Sequence, residues 1–386
     1  MSWSLLFLIL TVASWVYWLV GCWCVVSFFA EPQPEPCPDP PPVSVLKPMR
    51  GLDPGAYENL ASFLTQDYPV FELLIGVADR EDPALELAGR LQRRFPNRSV
   101  RAFVAPPLGV NEKVSILHYL AEQARYDTLV AADSDMRVAP DYLRRICAPL
   151  RDPRVGLVTC LYQGEQAETL TAVLEALHMG ATFLPSVLVA RRYLRMRFAM
   201  GATVALRREQ LRQIGGFAVL ADYLADDYEL GAHIAATGHR VHLSDYVTRS
   251  VLGATTFRDQ WDREIRWAKC ARVSRPLEYP AVVLTFATPL ALLTALSMGL
   301  SALGCTVIVV SLLVRWFVAW LVAGQTHDRV LRQAWLWLPL RDLLTAAVWC
   351  AAGVGQQVTW RGRRFVLLGR GRLREWVAQH PRPAAR

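Results

Sequence analysis

Apolar and polar positions alternate along this chain in three distinct regimes. Leu5 to Ala30 runs 26 residues without a charge, and at about 1.5 Å per residue it can cross a hydrocarbon core of about 30 Å. No Lys or Arg precedes it, and it is too long for the apolar region of a cleaved signal peptide, so it predicts a retained anchor helix. Residues 32–42 then place seven prolines in eleven positions. Polyproline II is the natural state of such a segment, which predicts a stiff spacer of roughly 30 Å between anchor and body.

From Val43 to about Cys270 short apolar runs alternate with amphipathic stretches. VSVLKP (43–48), FELLIGVAD (71–79), VRAFVA (100–105) and DTLVAAD (127–133) read as strands, and 59–64 and 84–94 as helices. This alternation predicts an α/β domain with a mostly parallel sheet, whose ligands bind at the carboxyl ends of the strands. After Pro280 the chain turns apolar again. Ala281–Val314 carries no charge over 34 residues, and the apolar character continues to Gly324; two antiparallel spans turning near Gly304 are expected. Leu343–Val358, at 16 residues, is short for a span. The arginine-dense tail from residue 361 argues for a cytosolic C-terminus, which favours a re-entrant or interfacial last segment. The predicted organisation is an anchor (1–31), a linker (32–42), a body ending in an interfacial helix (43–275), membrane helices (276–360) and a basic tail (361–386).

Composition agrees with a membrane protein: 53% hydrophobic residues and 13 Trp, a residue enriched at bilayer interfaces. The net charge of +8 comes without a recognisable nucleic-acid module, so contact with a lipid bilayer is expected and nucleic acid is not. The eight cysteines include no CxxC pair and predict free thiols.

Four clusters carry candidate chemistry. Asp133-Ser134-Asp135 directly follows the DTLVAA strand, where two carboxylates at alternate positions can hold a hard divalent cation with diphosphate oxygens; a polar strand-end turn is the alternative. Asp82, in the Asp79–Pro83 segment after the neighbouring strand, can meet a nucleoside or cap the following helix. Asp226-Asp227 places adjacent carboxylates before a helix, suited to a general base or to simple helix-terminal charge. Arg263-Glu264-Ile265-Arg266-Trp267 puts Arg263 and Arg266 on one helix face beside an aromatic platform, either for phosphate and sugar or as an interfacial anchor. Lys113 could reach a phosphate or be an ordinary surface lysine. His178 and His239 lack metal-ligand spacing and are expected to be structural.

Taken in order, these clusters resemble the D, DxD, D, (Q/R)xxRW series of family 2-type inverting glycosyltransferases. The match is closer to the ceramide glucosyltransferase group (family 21), which VSVLKPMRGLDP, DYPVFELLIGVADREDPA, GVNEKVSIL, ADSDMRV, ADDYELGAHIAATGHR, REIRW and QVTWRGRRF all resemble. The resemblance implies a GT-A fold and a UDP-sugar donor. It assigns Lys47, Asp82, Lys113, Asp133 and Arg263 to donor binding, and Asp135 with Asp133 to a divalent metal (Mg2+ or Mn2+). It makes Asp227 the base and puts Arg266 and Trp267 at the diphosphate and acceptor side. It also implies a membrane lipid acceptor and a multi-pass membrane protein with a cytosolic catalytic domain.

Two departures bear on the acceptor: the full Asp133-Ser134-Asp135 stands where the animal ceramide enzymes have D-S-G, and Thr182–Pro185 replaces a histidine–proline pair. With an Arg- and Ala-rich, bacterial-looking composition, they favour similarity to the bacterial hopanoid-biosynthesis glycosyltransferases, which attach N-acetylglucosamine to bacteriohopanetetrol. The bacterial inner membrane would then be the location, with ceramide as the alternative acceptor. A polysaccharide synthase would need more spans, and a non-catalytic lipid-binding scaffold would not need the intact carboxylates.

Overall fold

A computed structural model of the protein describes residues 3–35, 37–360 and 362–376. It opens with helix α1 (Trp3–Phe29), followed by β1 (Val43–Pro48), α2 (Ala56–Leu64), β2 (Phe71–Val77), α3 (Ala84–Arg94), β3 (Ser99–Val104), α4 (Glu112–Gln123), β4 (Thr128–Ala131), the two-residue β5 (Met136–Arg137) and α5 (Tyr142–Cys147). Next come β6 (Val155–Ala167), α6 (Leu170–His178), α7 (Leu184–Tyr193), β7 (Val204–Arg207), α8 (Arg208–Gln213), α9 (Asp226–Ala236), β8 (Arg240–Gly253) and α10 (Phe257–Ser274). The remainder is α11 (Ala287–Ser297), α12 (Ala302–Thr326), α13 (Arg329–Ala334), α14 (Leu338–Ala352) and the strands β9 (Gln357–Trp360), β10 (Arg363–Leu367) and β11 (Leu373–Glu375).

Eight strands form one sheet in the order β3-β2-β1-β4-β7-β6-β8-β5. The first four are parallel, with β7 and β5 antiparallel to their neighbours. Every residue of β1, β2 and β4 is buried, as expected of strands covered on both faces. The four strands foreseen at 43–48, 71–79, 100–105 and 127–133 are therefore present and adjacent. Their common parallel direction places the loops after β1, β2 and β4 at one edge.

Among the described residues three helical segments are long and apolar enough to cross a membrane: Trp3–Phe29, Leu170–Tyr193 and Ala302–Thr326. The second was not foreseen, since 43–275 was expected to be wholly globular. Glu175, His178, Arg191 and Arg192 interrupt its apolar character in sequence. The two spans expected over 281–324 are also different: a short helical turn at Tyr279–Thr285 meets α11 at 74°, so this part is bent. The chain turns at Gly299 and Leu300, both with positive φ, and not at Gly304. Gly304 lies within α12, where an added Cβ would come 2.9 Å from Ala295 Cα; its missing side chain allows α11 and α12 to approach.

The proline-rich segment does not hold α1 away from the body. Glu31, just beyond α1, pairs with Arg191 of α7 at 2.6 Å, and α1 residues share an apolar core with α7 and α12. Nor does a separate tail begin at 361. Strands β9, β10 and β11 form an antiparallel sheet that packs Val358, Phe365, Leu367 and Leu373 against Leu224 and Cys270. Arg361 and residues 377–386 of the expected basic tail lie outside the described residues. All eight cysteines are unpaired.

Buried ion pairs tie the helices together. On α12, Arg315 pairs with Asp342 of α14 at 2.9 Å and donates to the Ala181 carbonyl and the Thr182 hydroxyl, each at 3.0 Å. One residue earlier on α14, Arg341 clasps Glu264 of α10 with bonds of 2.6 and 2.7 Å. Bundle-facing, fully paired arginines are the form in which such charges are tolerated at membrane depth.

Candidate active site

The edge where β1, β2 and β4 end gathers most of the predicted residues. Asp133 follows β4, and its Oδ1 lies 2.6 Å from Lys113 Nζ, which reaches across from α4. The same ammonium is 3.6 Å from Asp226 Oδ2. Asn111 caps α4 through its side-chain oxygen and donates to the Tyr223 carbonyl at 2.8 Å and to Asp226 at 3.3 Å, locking α4 to the start of α9. Asp227, in the first turn of α9, accepts from Gly201 N–H at 2.7 Å and from Tyr228 N–H at 2.8 Å. A Cβ on Gly201 would stand 2.9 Å from Lys113 Nζ, 3.0 Å from Asp133 Oδ2 and 3.3 Å from Asp227 Oδ2. Lys113, Asp133 and Asp227 thus surround one point that only glycine leaves open.

On the other side of Ser134, Asp135 accepts from the Ser250 hydroxyl of β8 at 2.6 Å. The Ser134 hydroxyl itself donates to Asp53, in the loop after β1. Lys47 is completely buried in β1, where it donates to the Asp133 carbonyl and lies 4.1 Å over the Phe63 ring. It holds the Asp133 loop from beneath. Asp82 has two bonds: Oδ2 accepts from Gly51 N–H at 2.8 Å and Oδ1 from Ala84 N–H at 2.9 Å. The helix-capping alternative is therefore present, and the same carboxylate also pins the loop after β1.

Charge crowding governs the titration of the site. Burial, then the neighbouring Asp226, raises Asp227 to about 6, against Lys113 and the Tyr228 N–H. Burial and Asp133 likewise raise Asp135 to about 6, partly offset by the Ser250 bond. Burial works against the Lys113 ammonium, but Asp133, Asp226 and Asp227 outweigh it and raise its pKa. Burial pulls Lys47 down to about 8, against Asp135, Asp133 and Asp53. Among the described residues no group of three or more His, Cys, Asp and Glu is set to hold a metal unaided. Asp133 and Asp135 nevertheless fit one, since their excess negative charge, with Asp53 beside them, is only partly countered by two lysines. The remaining ligands would have to come from a bound phosphate group.

The fourth cluster lies on α10 as predicted, but its side chains diverge. Arg263 Nε is 3.0 Å from Oε1 of the buried Glu175 on α6, so this arginine is engaged at the seam between α6 and α10. Arg266 stacks 5.4 Å over Trp360 of β9. Trp267 packs beside Ala172, Ala176 and Leu252. Cys270, one turn beyond Arg266, is pushed up to about 12 by burial, with Arg266 lowering it and Asp227 and Asp226 raising it; α10 therefore passes within the field of the carboxylates. His239 bonds Thr237, as a structural histidine does.

Sequence reasoning missed Asp53, Asn111, Gly201, Ser250 and Tyr162. Burial, then Asp227, Asp133, Asp135 and Glu175, raises the Tyr162 phenol. Two of them lie in resembling segments, Asp53 in VSVLKPMRGLDP and Asn111 in GVNEKVSIL, where neighbouring residues drew the attention; Gly201, Ser250 and Tyr162 carry no local motif.

Comparison with known proteins adds three findings. The description "Glycosyl transferase family 21" matches residues 6–373. Ceramide glucosyltransferase 1 of Caenorhabditis elegans is 25% identical over 352 residues, covering 88% of this chain and 74% of that protein, and an N-acetylglucosaminyltransferase of Rhizobium meliloti (strain 1021) is 33% identical over 120 residues, covering 31% and 28%. Among solved structures, a mannosyltransferase of Pyrobaculum calidifontis in complex with GDP-mannose and Mn2+ superposes with a TM-score of 0.53 at 22% identity, over 89% of this chain and 98% of that one. That likeness shows the α/β GT-A fold.

Proposed function

The chain belongs to glycosyl transferase family 21 and is a sugar-transferring enzyme; from that premise we propose that it moves a sugar from a UDP-sugar to a lipid hydroxyl with inversion at the anomeric carbon. The observation that carries this is the convergence of Lys113, Asp133 and Asp227 on the gap at Gly201, at the edge of a parallel sheet and beside apolar helices. Asp227 takes the proton of the lipid hydroxyl as its oxygen attacks the anomeric carbon, and the bond from that carbon to the UDP oxygen breaks. Lys113 offsets the carboxylate charge near the departing diphosphate, with Arg266 assisting on the diphosphate and acceptor side. Asp133 and Asp135 would hold a divalent cation, Mg2+ or Mn2+, which stabilises charge on a leaving diphosphate when bound. The GDP-mannose and Mn2+ held by the archaeal structure support a nucleotide donor and a metal.

A water-soluble donor and a bilayer-resident acceptor require a site at the interface. Three apolar segments support membrane attachment, with the catalytic domain on the cytosolic side. For the acceptor we favour bacteriohopanetetrol, with N-acetylglucosamine or glucose as the sugar; the Rhizobium relative's name supports the former sugar. Ceramide is the second reading, supported by the nematode relative's name and coverage. UDP release by the purified enzyme, measured with each donor and each lipid, tests the proposal. Release should need both a lipid alcohol and a divalent cation. Release at the same rate without lipid would refute lipid transfer.

A further inference from the structure

At the seam between α6 and α10, polar side chains are buried without using all their hydrogen-bonding capacity. Glu175 Oε1 and Oε2, His178 Nδ1, Gln260 Oε1 and Arg263 Nε all lack a hydrogen-bond partner among the described residues. Glu175 is fully buried and Gln260 only 1% exposed. The nearest approach, Arg263 to Glu175 at 3.0 Å, is an ion pair without hydrogen-bond alignment. Helical spacing accounts for the clustering: Glu175 and His178 stand three apart on α6, and Gln260 and Arg263 three apart on α10. The orientation of the Gln260 amide is fixed, because Nε2 donates to Glu264 at 2.7 Å and Glu264 is clasped by Arg341. Its oxygen is therefore left over. Buried polar atoms are costly when unmatched, and so many at one seam mark a place for a ligand.

The seam adjoins the reacting groups. Leu252 and Trp267 pack there with Tyr162, and Leu252 lies two residues beyond Ser250, the partner of Asp135. Tyr162 is influenced by Glu175 and by Asp227, Asp133 and Asp135 alike. Helix α6 belongs to an apolar segment long enough to cross a bilayer, which would bring the seam to the lipid.

We infer that the α6–α10 seam is the subsite for the acceptor headgroup, and that it takes a neutral group rich in O–H or N–H donors through Glu175, Gln260 and His178. The inference rests on the lipid-transferase reading above. The unmatched oxygens of Glu175 and Gln260 accept, so the ligand must bring hydrogens to them. Arg263 and Glu175 cancel each other's charge, so the seam offers an anionic phosphate headgroup no net attraction. Both a polyol and an acylated amino alcohol have the required chemistry.

The test uses the full-length enzyme in nanodiscs with tail-matched acceptors: a single alcohol, a polyol, an acylated amino alcohol and an anionic phosphate lipid alcohol. The unaltered enzyme should use at least one donor-rich neutral acceptor about tenfold better in kcat/KM than the single alcohol, and whichever of the two it favours identifies the source. Glu175→Gln and Gln260→Met should each raise the acceptor KM about tenfold and shrink that preference, with the donor KM unchanged. Equal use of all acceptors, preference for the anionic one, or folded variants that keep acceptor KM and preference would overturn the subsite while leaving lipid transfer standing. If the variants fail to fold, the acceptor series on the unaltered enzyme still decides. Failure of every lipid alcohol to take sugar would bring down the underlying reading as well.

Discussion

Replacing Asp227 with asparagine removes the proposed proton acceptor while changing the shape of the site very little. The carboxylate accepts two backbone N–H groups, from Gly201 and Tyr228; asparagine can accept only one, leaving the other facing an NH2 at a cost of about 1–3 kcal/mol. A second effect opposes this. Burial and Asp226 raise the Asp227 pKa from 3.8 to about 6, so the folded state favours the neutral acid. The stability that this gives is full below the unfolded pKa and is lost as pH rises through about 6. At pH 7 the ionised group therefore costs about 3 kcal/mol relative to a neutral one, a cost asparagine avoids. The two effects nearly cancel, so the variant should unfold close to the native temperature. Its turnover should fall by about 10²–10⁴-fold, the usual contribution of a positioned base. Nucleotide binding by calorimetry should persist, since Asp133, Asp135 and Lys113 remain. The native enzyme's kcat should rise with pH through about 6 as Asp227 ionises, and that limb should vanish in the variant. Turnover within a few-fold of native would refute the assignment of the base.

Three further variants probe the surroundings. Lys113→Met removes a group that lowers the Asp227 pKa, so the acid limb of the kcat profile should move above pH 6. Gly201→Ala puts a Cβ 2.9 Å from Lys113 Nζ and 3.0 Å from Asp133 Oδ2; displaced reacting groups should cost about a hundredfold in kcat/KM with little change in unfolding temperature. Arg341→Met leaves Glu264 buried and uncompensated, which should destabilise the detergent-solubilised enzyme by about 3–5 kcal/mol in thermal or denaturant unfolding. Adding Glu264→Gln to that variant should recover most of the loss.

The parallel half of the sheet was legible because β1, β2 and β4 are short apolar runs bounded by turn residues, a pattern fixed by their coverage on both faces, while the edge strand β3 is only partly buried. Asp133, Asp135 and Asp227 were legible because each sits where a strand or helix boundary can be read nearby. Gly201 and Ser250 were not, since their importance lies in what approaches them from segments distant in sequence. The strands β9 and β10 were hidden by arginines: Val358 and Trp360 alternate with Gln357 and Thr359, and the apolar run Phe365–Leu367 follows directly on Arg363 and Arg364, a pattern that the basic character of QVTWRGRRF obscured. Arg263 looked like a phosphate ligand because only its own helix was visible. Glu175, the partner that redirects it, comes from a helix whose charges concealed its apolar length.

Lipid extracts from cells with and without this protein, compared by mass spectrometry alongside cells carrying Asp227→Asn, bear most directly on sugar transfer to a membrane lipid. A lipid heavier by one hexose or N-acetylhexosamine should appear with the native protein and be absent from both other samples. Identical lipid profiles in all three, from cells in which the native protein is folded and supplied with UDP-sugar, would contradict it.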